Sequence, residues 1–84
     1  MREHYNLLEP RMTKTLTAIL EREGDGFTAL CPELDIASQG DTLEAAKANL
    51  REAVELFFES ADQSETAARL SGEIYVTQLE VEFA

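Results

Sequence analysis

The sequence predicts an α+β domain of order β-β-β-α-β, a four-stranded mixed sheet ordered 3-2-1-4 with one main helix on one face. Three observations lead there. Two runs of alternating apolar residues flank Gly24-Asp25-Gly26, a long amphipathic run begins at Leu43, and a last alternating run spans Glu73–Phe83.

Thr13–Glu23 (TKTLTAILERE) places Leu16, Ala18 and Leu20 on one face and Thr15, Thr17 and Ile19 on the other. That is the period of a strand, in β-branched residues that favour one. Gly24-Asp25-Gly26 supplies residues that tolerate positive φ and so predicts a tight turn. Phe27–Cys31 resumes the strand pattern, with Phe27, Ala29 and Cys31 sharing a face. Pro32 lacks an N–H and ends that strand, so Pro32-Glu33-Leu34-Asp35 reads as a turn. Ile36–Gln39 is a short third strand, broken by Gly40.

The helix is expected from about Leu43 to Glu59. Asp41 or Thr42 caps it, and Glu44 stands three residues after Asp41, as in a capping box. Leu43, Ala46, Leu50, Val54 and Phe57 form one buried stripe, while Glu44, Lys47, Arg51, Glu52, Glu55 and Glu59 fill the rest. Phe58, next to Phe57, cannot share its face; it is expected to be partly exposed or to pack under the following turn. Ser64 is a candidate cap for a short helical turn, Glu65–Leu70, that Ser71-Gly72 terminates. In Glu73–Phe83, Tyr75, Thr77, Leu79, Val81 and Phe83 share a face, and Ile74 and Val76 lie on the other. Crossovers between parallel strands are right-handed, so this strand would return parallel to the first and form a sheet edge.

Composition narrows the function. Eighty-four residues suffice for one small domain, and such a domain buries only about 60% of its unfolded surface, which favours a partner or a second copy. Seventeen acidic against seven basic side chains give a net charge of −10. That balance argues against direct binding of nucleic acid, which needs a basic surface. It suits a basic protein partner, and equally serves plain solubility. A single cysteine, Cys31, excludes an internal disulfide. No run approaches a membrane span, and MREHYNLLEPR lacks the apolar core of a signal peptide, so a cytoplasmic location is expected. Residues 1–11 read as a loosely attached leader, with Met12 an alternative start and residues 12–84 the domain.

The stretch GFTALCPELDIASQGDTLEAAKANLREAVELFFES, residues 26–60, resembles the HicB-like antitoxin family. The resemblance rests on Phe27 after the turn, on Pro32-Glu33-Leu34, and on Gly40-Asp41-Thr42 before the helix. It continues through Glu44, Ala45, Asn49, Leu50, Glu52, Ala53, Glu55, Leu56, Phe57 and Glu59, and with the flanking strands it covers about 70 residues. Asp35-Ile36-Ala37 stands where some members have Pro-Gly-Cys. The resemblance implies a trimmed ribonuclease-H-like fold that binds and neutralises HicA, a small basic RNA-cleaving toxin. Complete antitoxins of this kind usually carry a C-terminal DNA-binding domain, for which no room is expected after Ala84. Two readings stay open: an antitoxin module for a HicA-like toxin, or a solitary homo-oligomeric HicB-like domain with a structural or regulatory role. The partner surface is expected on Glu44, Glu52, Glu55 and Glu59 of the helix and on Tyr75, Thr77, Gln78, Leu79, Glu80 and Glu82 of the last strand.

No catalytic, metal or cofactor site is expected. A two-metal nuclease needs several converging carboxylates; Glu33 and Asp35 are the nearest pair, in a turn where acids are ordinary, and Thr15–Leu20 supplies no aspartate. His4 lies in the leader without a nucleophile beside it. Cys31 reads as a small apolar side chain. Gly24-Asp25-Gly26 lacks the Lys-Ser/Thr of a phosphate loop.

Overall fold

A computed structural model describes residues 13–84. The leader 1–11 with its His4, and Met12, lie outside the described residues. The observed order is β1 (Ile19–Glu23), β2 (Gly26–Cys31), β3 (Ile36–Gly40), α1 (Leu43–Ser60) and α2 (Gln63–Leu70). The sheet has three strands in the order β1-β2-β3, antiparallel throughout. The expected four-stranded mixed sheet with a single helix is therefore corrected to β-β-β-α-α.

Two physical reasons account for the difference. Glu73–Phe83 has the period of a strand but pairs with no strand among the described residues. Alternation reports a half-covered ribbon and does not say what covers it. The helix after α1 is also longer than expected. It starts at Gln63 with Asp62 as its cap, the carboxylate accepting from the Glu65 N–H at 2.7 Å and from the Ser64 hydroxyl at 2.9 Å. Ser64 thus supports the cap without being it. The second helix redirects the chain, so the direct return to β1 does not occur.

β1 is likewise shorter than Thr13–Glu23. Ile19 stands opposite Leu30, a register that would bring Thr17 against Pro32, where β2 has already turned. At the other end Glu23 pairs with Gly26 across Gly24-Asp25. Gly24 has φ 59° and Asp25 is not in the positive-φ region, the φ signs of a type II′ hairpin turn. Arg22 faces Phe27 across the hairpin, its guanidinium 4.6 Å from the ring centroid.

α1 lies on β3 and β2. Thr42, not Asp41, is its cap: the hydroxyl accepts from the Ala45 N–H at 3.0 Å. Glu44 therefore sits one residue too early to close a capping box. Gly40 sits hard against this first turn. A Cβ there would meet the Ala46 nitrogen at 2.5 Å and the Ala45 carbonyl carbon at 2.7 Å. Asn49, one turn on, donates its amide to the Gln39 carbonyl at 2.7 Å. The core beneath is Ala29, Cys31, Leu34, Ala46 and Leu50, joined by half-buried Leu16, Leu20, Phe27, Ile36, Val54, Phe57, Phe58 and Leu70. Leu43, expected in the stripe, is 47% exposed.

Leu34 is completely buried although it belongs to a turn. Asp35 follows it in the left-handed region, φ 56°, and this kink re-aims the chain into β3. α2 closes over the same loop: Arg69 donates to the Leu34 carbonyl and lies 5.3 Å from the Phe57 ring centroid. Phe57 and Phe58 meet edge to face at 5.6 Å, so Phe58 takes part in packing.

Two substitutions test this account. Gly40→Ala should destabilise the domain by about 2 kcal/mol or more, since the obstacle is backbone and cannot rotate away. Leu34→Ala should cost about 2–4 kcal/mol by leaving a cavity. Urea unfolding followed by far-UV circular dichroism measures both; a Gly40→Ala protein as stable as wild type would contradict the close approach.

Candidate interaction surface

The exposed side of α1 carries Glu44, Glu52, Glu55 and Glu59. At 3.6 residues per turn these fall within an arc of about 80°. They lie opposite the buried Ala46 and Leu50. The sequence thus assembles a carboxylate-rich face by the same periodicity that assembles the core. Lys47 and Arg51 are exposed at one border of the arc and Leu56, 58% exposed, at the other. Acidic side chains on an exposed arc can steer and hold a cationic surface.

The remaining expected contact residues, Tyr75, Thr77, Gln78, Leu79, Glu80 and Glu82, belong to an extended arm, residues 73–84, that leaves the fold after Gly72. The structure does not join them to the helix carboxylates in one cluster. The arm is exposed along its length, with Tyr75 at 82%, Leu79 at 85% and Phe83 at 92%. Val76, Val81 and in part Ile74 are exposed with them and were not among the expected contact residues; the apolar character of both faces near Ile74 and Val76 was the available signal. The Tyr75 hydroxyl donates to the Glu73 carboxylate, which pushes the phenol pKa up. The root of the arm and the stretch before β1 border an open groove of about 280 Å³, lined by Lys14, Thr15, Leu16, Leu70, Ile74 and Tyr75, among others.

Glu33 has a structural role that the sequence did not disclose. Its carboxylate accepts from the Thr17 N–H at 3.1 Å through either oxygen, and from the Thr17 hydroxyl at 2.7 Å. The Cys31 thiol donates to it at 3.5 Å. This ties the chain before β1 to the β2–β3 loop. Burial alone would raise the Glu33 pKa; the hydrogen bonds from Thr17, from its own backbone and from Cys31 outweigh burial and hold it below its ordinary 4.5. Burial, then the neighbouring Glu33, pushes the Cys31 thiol up, away from the reactive thiolate. Asp35, the other half of the expected acidic pair, is exposed in the turn. Among the described residues no group of three or more His, Cys, Asp or Glu side chains could hold a metal ion. No helix among them is long and apolar enough to cross a membrane.

Fold and surface together define a small β-β-β-α-α domain with two distinctive exposed features, a carboxylate-lined helix and an apolar arm. The chain belongs to the UPF0150 family. It is 47% identical over 53 residues to UPF0150 protein ssr1765 of Synechocystis sp., an alignment covering 61% of this chain and 67% of that protein. It is 48% identical over 50 residues to UPF0150 protein ssl0738 of the same organism, covering 57% and 69% respectively. No family model matches the chain, and no solved structure matches it.

The Glu33 tether gives a pH-dependent expectation. A carboxylate whose folded pKa is depressed stabilises the fold above its unfolded pKa, and that contribution is lost as pH falls through the folded value. Wild type should therefore exceed Glu33→Gln in stability near neutral pH, and the gap should narrow below about pH 4.5. Thermal melts of both proteins from pH 7 to pH 3 measure it; a gap that widens toward acid would refute the tether.

Proposed function

We propose that this chain is an antitoxin-like binding module that engages a small basic RNA-cleaving protein of the HicA type through the acidic face of α1. The observation that carries the reading is the arc of Glu44, Glu52, Glu55 and Glu59 on the helix side opposite buried Ala46 and Leu50, in a chain of net charge −10. A toxin that binds RNA must present cationic side chains where the phosphates sit. An acidic helix face laid over them competes by charge and by bulk. The resemblance of residues 26–60 to HicB-like antitoxins and membership of the UPF0150 family support this reading. The reading implies a cytoplasmic protein, in reach of such a toxin.

The same charge on a helix could serve solubility alone, and the two roles differ in measurable ways. Binding of a purified HicA-like protein, followed by titration calorimetry, should weaken as salt rises, because the contact is between exposed charges. The triple substitution Glu44→Gln, Glu52→Gln and Glu55→Gln should weaken it roughly 10- to 100-fold, at about 0.5–1 kcal/mol per charge. RNA cleavage by the toxin should be restored in parallel. Absence of binding by wild type, or binding indifferent to these substitutions, overturns the assignment.

A further inference from the structure

The acidic helix leaves the arm unexplained. From Thr77 outward it alternates, with Thr77, Leu79, Val81 and Phe83 on one face and Gln78, Glu80 and Glu82 on the other, while Ile74 and Val76 leave its root apolar on both faces. That pattern belongs to a strand with one covered face, yet among the described residues no strand pairs with it and its large apolar side chains stand exposed. The described chain measures 61 × 30 × 18 Å, so the long dimension is twice the next. Twelve extended residues reach about 40 Å, enough to cross onto a neighbouring molecule.

A receiving edge exists in the same chain. β1 pairs with β2 on one side only, and its other side is the border of the sheet. The preceding stretch, Thr13–Ala18, is rich in β-branched residues, lies outside the ladder and carries exposed Thr13, Lys14, Thr15 and Ala18. Apart from the Thr17 N–H, which the Glu33 carboxylate holds, such a border offers N–H and C=O groups for another strand.

We infer that the arm, residues 73–84, pairs with the β1 edge of a second copy, including the stretch Thr13–Ala18, and receives that copy's arm in return. The pairing is intermolecular; each chain's own sheet keeps three strands. Three arguments select a second copy as the occupant. The arm and the unpaired edge are carried by the same chain, so a twofold exchange satisfies both at once and closes on itself. The area suffices: Tyr75 and Phe83 offer roughly 150–250 Å² each, so two arms contribute about 600–1,000 Å² from aromatics alone. The exposed Val76, Leu79 and Val81 of both copies bring the total toward the roughly 1,200–2,000 Å² of specific interfaces. Finally, one face of the arm is lined by exposed Tyr75, Leu79, Val81 and Phe83, and that apolar face with the arm's backbone is complemented by another strand edge, while Glu80 and Glu82 lie on the opposite face.

Charge gives the dimer a signature opposite to that of the complex proposed above. Two copies of net charge −10 repel, so added salt should tighten the dimer several-fold while it loosens a complex with a basic protein. Light scattering on the full chain at about 100 μM should give twice the chain mass. Leu79→Pro, which removes a donor from the arm, and the pair Leu79→Asp with Val81→Asp should each give a monomer with unchanged helical dichroism, since the arm takes no part in the chain's own sheet. A synthetic peptide of residues 73–84 should bind the Leu79→Pro chain and protect the amides of 13–20 from hydrogen exchange; the same peptide with the proline should not. A wild-type monomer at this concentration, a dimer that survives both sets of arm substitutions, or peptide-induced protection away from 13–20 would each overturn the inference.

Discussion

The domain is organised around the seating of the first turn of α1 on the end of β3. Gly40 has no side chain, and the helix occupies the space one would need. Thr42 closes the helix start from below, and Asn49 bonds back to the Gln39 carbonyl one turn later. With these three contacts set, Ala46 and Leu50 descend onto Ala29 and Cys31, and the helix carboxylates are turned outward by default. The exposed acidic arc is therefore a geometric consequence of how the helix is docked. A shift of one residue in the helix start would rotate it by about 100°.

A second constraint works from the opposite end of the sheet. The four-residue loop between β2 and β3 inserts Leu34 into the interior and uses Glu33 to hold Thr17. Asp35 turns the chain in a left-handed conformation immediately afterwards. α2 then lies over the loop through Arg69 and Leu70. A connection that would ordinarily be a surface turn is thus a third wall of the core, between the sheet and two helices.

Local features were legible in the sequence, and long-range ones were not. The hairpin at Gly24-Asp25, the three strands and the span of α1 followed from periodicity and turn chemistry, because each depends on residues a few positions apart. Several elements behind the family resemblance, Glu33, Leu34, Gly40, Thr42 and Asn49, make contacts that build the fold, and so report architecture. The fate of Glu73–Phe83 was misread because alternation specifies a ribbon and omits its neighbour. The Thr17–Glu33 bond was invisible for a similar reason, sixteen residues separating its ends. The helix face was legible as a set of carboxylates; that the arm residues stand apart from it required coordinates.

Among the described residues the buried interior is small: Ala29, Cys31, Leu34, Ala46 and Leu50, of which Leu34 and Leu50 have the bulk. The heat-capacity change of unfolding scales with the apolar surface released, and here little is released. A single folded chain should accordingly have a shallow, broad stability curve, losing free energy slowly on both warming and cooling. Covering the arms would add apolar burial faster than it adds chain, so assembly would steepen that curve and narrow the temperature range over which the protein passes from ordered to disordered.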